Sequence, residues 1–208
     1  MRSLLAAMAF VTMVSVCWAD SPLGPSLAPG QTLYGHFSQS RNLKDVSEPL
    51  NSDGNFVLVP GKGLIWRVEH PIEATTVITA AGIRQIVNGN ETKRIDAART
   101  PAIAHFYYML DSALVGDWSA MQAEFAVSST GNRGAWRTVL TPVHSKDPTA
   151  SVLASIVITG RQLVDAVDIT RANGDSDQVR FFDQTVSINT LNKEDSRLLE
   201  GSGSDAAD

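Results

Sequence analysis

The sequence predicts an α+β fold in which a curved antiparallel sheet forms an incomplete β-barrel with a helical lid. Short apolar runs with alternating side chains, separated by turn residues, recur along most of the chain. This pattern is interrupted once, near the middle, by apolar residues at helical spacing. A sheet with one substantial helix inserted after its first half cannot close evenly on itself. We therefore expect the helix to lie against the concave side of the sheet.

The strand predicted at residues 63–70 organises the first half of the sheet. Alternation places two sets of side chains on opposite faces: Leu64, Trp66 and Val68 on one, and Ile65, Arg67 and Glu69 on the other. Pro71 ends the run, since proline cannot donate to a strand ladder. We expect the face with Trp66 to cover an apolar interior and the face with Arg67 to meet water.

The other strands are predicted wherever similar runs lie between turn signals such as Gly82 or the pair Asn88 and Gly89. In chain order they are 32–41, 55–59, 75–80, 83–87, 125–129, 136–141, 155–159, 163–169 and 178–187. Residues 51–54 indicate a turn or a bulge, and residues 148–154 a helical turn. Residues 118–125 either extend the helix after a break or enter the next strand.

The helix is predicted from Pro101 to about Val115. Thr100 is a suitable N-cap, and proline is favoured in the first turn of a helix. Apolar side chains then follow at helical spacing, at Ile103, Phe106, Tyr107, Leu110 and Leu114. Gly116 is placed to end the helix.

The first nineteen residues indicate a cleaved secretory signal peptide. Arg2 precedes an apolar run at 4–16, and Cys17-Trp18-Ala19 places small residues before a cut. A retained membrane anchor is the alternative, but the run is shorter than the roughly 20 residues of a membrane span. Lipidation at Cys17 is a second alternative, disfavoured because Val16 is not small. Residues 20–30 are expected to form a flexible leader, 31–191 the folded domain and 192–208 a disordered tail.

Composition excludes several classes of function. A net charge of −5 disfavours nucleic acid as a partner. Cys17 is the only cysteine, so a mature chain starting at Asp20 has no disulfide or thiolate metal site. The four histidines are scattered singly, so we predict neither a metal nor a cofactor. A Gly-Asp-Ser sequence at 174–176 resembles an esterase motif, but it is also ordinary turn chemistry, and no base for a nucleophilic serine is identified. We expect no enzyme; a hydrolase is the least favoured hypothesis.

Large apolar side chains on consecutive strands and on the helix are candidates for lining a common interior. The acyl-chain site predicted from them comprises Phe37, Phe56, Leu58, Leu64, Trp66, Val68, Phe106 and Leu110. A solid core is the alternative for each residue taken alone. A hollow between sheet and helix would instead bind acyl chains, because each buried CH2 contributes about 0.8 kcal/mol.

The order of motifs resembles the periplasmic lipoprotein carrier family, LolA and its relatives, over residues 32–187. The family's early Phe-x-Gln is Phe37-Ser38-Gln39, and its Gly-x-aromatic strand is Gly54-Asn55-Phe56. The aliphatic-x-Trp followed by proline is Leu64-Ile65-Trp66 and Pro71, and Pro60 precedes it. The next two strands around Gly82 and the lid helix at 101–115 follow in the family's order.

The resemblance implies an incomplete barrel with a helical lid and a function in the periplasm. Its implied partners are an acylated cargo, lipoprotein or (glyco)lipid, together with an inner-membrane transporter and an outer-membrane acceptor. The chain departs from the family where the arginine latch of the lid belongs, near Pro60, with only Lys62 close by. The leading helix that supplies part of the lid in the family is cut down here to the Pro-rich segment 20–30. Lys62 and Arg67 are possible head-group contacts, or else solvated charges.

We therefore expect a monomeric periplasmic carrier that shields acyl chains during transport toward the outer membrane. The alternative is an envelope sensor or adaptor that uses the same half-barrel to bind a protein partner.

Overall fold

The computed structural model describes residues 27–114, 116–132, 134–143, 153–188 and 191–201 of the chain. The predicted signal peptide at 1–19 and most of the predicted leader lie outside these residues, and so do the side chains of Pro101, Phe106, Leu110 and Leu114. The boundaries of the signal peptide, leader and domain therefore stay predictions.

The described residues form eleven strands in one antiparallel sheet. They are β1 (Gln31–Asn42), β2 (Leu50–Val59), β3 (Gly63–His70), β4 (Ala74–Thr79), β5 (Gly82–Val87), β6 (Asn90–Asp96), β7 (Phe125–Asn132), β8 (Ala135–Pro142), β9 (Leu153–Gly160), β10 (Val164–Arg171) and β11 (Ser176–Ile188). Their order across the sheet is β6-β5-β4-β3-β2-β1-β11-β10-β9-β8-β7. The sheet is open, because no described pairing joins the edge strands β6 and β7.

One helix, α1 (Pro101–Leu114), and a short 3-10 helix (Ser119–Met121) lie in the chain segment that links the two edges of the sheet. Gly116 has a φ of 75° just after α1, and its N–H donates to the Ala113 carbonyl, which ends the helix as expected for glycine. The α+β class and the incomplete barrel with a helical lid are confirmed. The 3-10 helix resolves the segment that the sequence left open.

The two halves of the sheet meet where β1 pairs with β11. Gln39, Arg41 and Arg171, from β1 and β10, converge on the buried carboxylate of Asp177 in β11. Arg41 Nε lies 2.6 Å from Oδ1, and Arg171 Nη2 lies 2.5 Å from Oδ2 as an ion pair. Burial alone raises the pKa of Asp177, but the two arginines outweigh it and lower the pKa. Charge pairing thus connects three strands at the junction.

Two predicted boundaries differ from the structure. Strand β2 begins at Leu50, so residues 51–54 lie within it, and its register with β3 shifts between Asp53 and Gly54. The bulge interpretation is therefore correct, and a β carbon on Gly54 would lie only 1.9 Å from the Arg67 carbonyl oxygen. Leu153 and Ala154 belong to β9 instead of a helical turn. Residues 148–152 lie outside the described part.

Strand β6 was missed in the sequence. It carries Glu91, Lys93 and Arg94 and has no buried residue, so apolar alternation could not reveal it. The strand forms because β5 offers a free edge and the turn at Asn88 and Gly89, with φ values of 51° and 75°, brings the chain back to it.

The predicted disordered tail is wrong over its first part. Residues Lys193–Glu200 form a second helix, α2, capped by Asn192, whose side chain accepts the Asp195 N–H. Leu199 is buried against Val57, Ile65 and Val77 on the convex face of the sheet. Burial of one apolar side chain and a good cap outweigh a polar composition that indicated disorder.

The prediction that the convex face of β3 meets water is therefore wrong, because α2 covers this face. Ile65 is fully buried beneath α2, and Arg67 is ion-paired with the buried Asp195 of that helix. On the concave face two further clusters are formed. One surrounds Phe37 and Phe56, and the other joins Met109 and Ala113 of α1 to Trp118 and the strands β7 to β9.

Candidate functional site

The candidate site is a cavity on the concave side of the sheet, where the inner faces of β1 to β3 approach those of β9 to β11. Its volume is about 160 Å³ and its wall is almost wholly apolar. The lining residues are Leu27, Leu33, Phe56, Leu58, Leu64, Trp66, Ala113, Trp118, Ile158, Leu163, Val164, Val167, Phe181 and Gln184. Ala113 is supplied by α1, so the lid helix contributes directly to the wall. The interior is therefore not a filled core.

Half of the predicted cavity residues line this space. Phe56, Leu58, Leu64 and Trp66 are in the wall. Phe37 and Val68 belong to the same cluster but are not among the lining residues. Phe106 and Leu110 lie on α1, and their side chains are outside the described part, so a place for them in the cavity stays a prediction.

Trp66 is held in place by three aromatic neighbours. Its ring stacks on Phe37 with centroids 3.7 Å apart and planes 25° apart. Phe181 meets it edge-on at 6.1 Å, and the Phe56 ring lies at 6.2 Å. Such offset and edge-to-face pairs contribute about 0.5–1.5 kcal/mol each beyond their buried area. The indole is thus a rigid wall element, and Phe37, which is fully buried, supports it from behind.

Gly35 makes room for two wall residues. A β carbon at this position would lie 2.7 Å from the Phe56 ring and 3.1 Å from Cγ of Gln184. Glycine therefore lets both side chains cross β1 at this point, and a larger residue would have to displace the Phe56 ring.

The sequence did not predict the part of the wall that comes from the second half of the sheet. Leu163, Val164, Val167, Phe181 and Gln184 reach the cavity because β11 pairs with β1. Alternation within β10 and β11 was visible in the sequence, but alternation does not say which distant strand becomes the neighbour. Leu27 was also missed: it was assigned to the flexible leader, yet it is only 3% exposed and lines the cavity.

The lid helix is tied to the sheet by two described polar contacts. Asp111 of α1 accepts the N–H of Gly61, in the turn between β2 and β3, at 2.7 Å. His105 Nε2 lies 2.7 Å from Oε1 of Glu124, just before β7. Tyr107, one turn before Asp111, has a buried hydroxyl without a described hydrogen-bond partner. Burial raises the pKa of the Tyr107 hydroxyl, and the nearby negative charge of Asp111 raises it further.

Comparison with known families decides what this architecture is. The family model described as "Outer membrane lipoprotein carrier protein LolA-like" matches residues 25–180, about three quarters of the chain. The chain belongs to the LolA-like family. A search of curated proteins gave no match.

Solved structures with similar folds are distant in sequence. A LolA superfamily protein from Nitrosomonas europaea is 7% identical, with 80% of this chain and 90% of that chain covered and a TM-score of 0.41. A putative outer-membrane lipoprotein-sorting protein domain from Vibrio parahaemolyticus is 10% identical, with coverages of 82% and 90% and a TM-score of 0.41. In the MucA/MucB complex of Pseudomonas aeruginosa, the matched chain is 11% identical; 79% of this chain and 54% of that chain are covered, with a TM-score of 0.48.

The two cations predicted to contact a head group in this LolA-like chain lie away from the cavity. Lys62 is exposed in the turn between β2 and β3. Arg67 is on the convex face, bound to Asp195. The alternation of side chains in β3 already predicted that Arg67 and Trp66 lie on opposite faces of the sheet. The structure adds that the guanidinium of Arg67 is paired with the carboxylate of Asp195.

The contact of Asp111 joins the lid helix to the turn after Pro60. The turn after Pro60 supplies a backbone donor, Gly61 N–H, and the helix supplies the charged acceptor. A hydrogen bond from this turn to a carboxylate thus connects the lid helix and the sheet.

One group of exposed side chains has the composition of a metal site. Ligand atoms of Asp53, Glu69 and His70 lie within 4.8 Å of one another. His70 Nδ1 is 2.9 Å from Asp53 Oδ2, and this hydrogen bond raises the pKa of His70. All three side chains are exposed, which is common for acidic groups that bind no ion. The prediction that no metal is bound stays a prediction.

Within the described ranges, no helix has both the length and the apolar character needed to cross a membrane.

Proposed function

We propose that this LolA-like protein is a periplasmic carrier that shields the acyl chains of a lipoprotein or (glyco)lipid on the way to the outer membrane. The observation that carries the proposal is the apolar cavity lined by Trp66 on one side and by Ala113 of the lid helix and Trp118 on the other. Binding needs no catalytic group and no cofactor, since transfer of hydrocarbon from water into such a space is favourable by itself.

The size of the cavity limits what the described state can hold. A dry apolar cavity of about 150 Å³ accommodates a molecule the size of benzene. The cavity here, at about 160 Å³, therefore has room for the end of one acyl chain. A longer chain requires the lid to move outward. The described conformation is thus the closed form of the carrier, and loading shifts it toward an open form.

Lid movement gives the carrier its means of release. The Asp111–Gly61 and His105–Glu124 contacts are polar and accessible to water, so α1 can leave the sheet without breaking a large buried network. An inner-membrane transporter that stabilises the open form would load the cavity, and an outer-membrane acceptor that does the same would empty it. The protein works as a monomer in this scheme.

The test is native mass spectrometry and lipid extraction of protein purified from the periplasm. We expect acylated species to be retained by the wild type and lost from Leu64→Trp, because the indole enters the cavity that Leu64 lines. Ile72→Trp is the control, since Ile72 is 70% exposed and outside the cavity. Consistent absence of acylated species from the wild type would contradict the proposal, and so would equal retention by both variants.

A second candidate function, an envelope sensor or adaptor, is favoured by the free edge of β11. Its residues beyond Arg180 have no described partner strand on the β10 side, and Val186 and Ile188 are exposed there. An extended segment of a partner protein could add a strand to such an edge. A pull-down that finds one stoichiometric protein partner, together with no lipid in the extract, would favour this function over the carrier.

A further inference from the structure

A polar groove of about 580 Å³ lies beside the apolar cavity, between the β9–β10 turn and the middle of β11. Leu163, Phe181 and Gln184 line both spaces, so the two are adjacent. Beyond these shared residues the groove becomes polar, with side chains from the turn before β10 and from the middle of β11. Its distinguishing residues are Arg161, Gln162, Asp165, Phe182 and Asp183.

The groove exists because two neighbouring strands differ in length at this end of the sheet. The described pairing of β10 with β11 runs from Ser176 to Arg180 on β11, although β11 continues to Ile188. The wall of the half-barrel is therefore open between the β9–β10 turn and the second half of β11. Gln184 bridges the opening, donating from Nε2 to the Val164 carbonyl at 2.8 Å.

Both sides of this opening are fixed by local structure. On one side, Trp136 Nε1 donates to the Arg161 carbonyl at 2.6 Å, and a β carbon at Gly160 would lie 2.5 Å from the same indole. On the other side, β11 has one residue more than β1 between the pairs Tyr34–Thr185 and His36–Phe182. Asp183 lies in this bulge and has a φ of 50°. Bulges of this kind re-aim side chains beside functional sites.

The charges of the groove disfavour an anionic ligand. Arg161 is already bound to both carboxylate oxygens of Asp165, at 2.9 and 3.2 Å. This pairing raises the pKa of Arg161, which stays a cation with its charge neutralised. Asp183 has no cationic partner among the described residues. The described side chains of the groove thus carry one net negative charge and several amide and carboxylate hydrogen-bonding groups.

We propose that this opening is a lateral portal that holds the polar end of the bound acyl molecule, and that it selects an uncharged, hydrogen-bonding end such as an ester, amide or glycerol group. The inference rests on the carrier function proposed above. It moves the head-group contact from Lys62 and Arg67 to the groove around Gln184 and Asp183. When the acyl chain lies in the cavity, its ester or amide linkage lies between Leu163 and Phe181. Its polar end then lies in the groove, in contact with water.

The test compares three ligands that share one chain, namely monolaurin, laurate and lauryl phosphate, by calorimetry at neutral pH. We expect the wild type to bind monolaurin about tenfold more tightly than either anion, because Asp183 repels them at short range. Asp183→Asn should raise the affinity for both anions about fivefold and leave that for monolaurin within about twofold. Asparagine tolerates positive φ, so this variant keeps the backbone.

Asp168→Asn is the matched control. It makes the same change of charge at a carboxylate bound to Arg180, outside the groove. Equal or tighter binding of the anions by the wild type would overturn the portal, and so would the same affinities in both variants. These results leave the carrier function intact, whereas failure of all three ligands to bind removes the carrier and the portal together.

Discussion

The lid contact gives the sharpest prediction about function. Replacing Asp111 by alanine removes the acceptor of the Gly61 N–H. A hydrogen bond to a charged group contributes about 1.5–3 kcal/mol when it is protected from water. Because this one is exposed, we expect about 1 kcal/mol, which corresponds to about a fivefold larger open population. Asp111→Asn keeps an acceptor oxygen without the charge and should give about half of this free-energy change.

Two measurements follow the open population. Hydrogen exchange should show about fivefold less protection of the amides of α1 in Asp111→Ala, and a fluorescent fatty acid should be taken up about fivefold faster. Helix propensity acts in the opposite direction, since alanine favours the helix, so it cannot imitate the effect. Tyr108→Ala is the control: Tyr108 is on the same helix and 58% exposed. Exchange and uptake that match this control would refute a latch at Asp111.

Three further predictions concern packing and charge. Gly35→Ala should push the Phe56 ring into the cavity, lowering acyl affinity about tenfold with the fold retained by circular dichroism; unchanged affinity would contradict the tight contact of 2.7 Å. Asp177→Asn should lower stability by about 2 kcal/mol at neutral pH. The pKa of Asp177 in the folded state is lowered from 3.8, so the wild type should lose this advantage as pH falls below about that value. A difference in melting temperature between wild type and variant that is the same at every pH would contradict this. Leu199→Ala should lower the free energy of unfolding by about 2–3 kcal/mol in urea, whereas exposed Glu200→Ala should change it little.

The sequence predicts where the strands lie along the chain better than it predicts which strands are paired in the sheet. Alternation around Trp66 correctly separated the concave from the convex face of β3, and Gly116 correctly ended α1. These features depend on residues close together in the chain. The pairing of β1 with β11 joins residues about 140 positions apart, as in the contact between Gln39 and Asp177. No local pattern records such a pairing, and six of the fourteen residues that line the cavity depend on it.

The errors at the chain ends have a common physical cause. The segment around Leu27 is rich in proline, glycine and serine, and the segment around Leu199 is polar, so composition predicted a flexible leader and a disordered tail. In each case one leucine is buried by the folded sheet, at 3% and 8% exposure. Composition averages over a segment, whereas docking needs only one or two apolar side chains and a surface that exists after folding.

The position of α2 also bears on how a protein can keep a cavity. Interiors are normally packed to high density, and empty apolar space lowers stability by about 24 cal/mol per Å³. The LolA-like sheet has a second, well-packed cluster on its convex face, where Val57, Ile65 and Val77 are buried beneath Leu199. Residues of β2 and β3 therefore alternate between a filled outer cluster and an underfilled inner one. The outer cluster stabilises the strands independently of the cavity, so the concave face can remain partly empty without the sheet collapsing onto itself.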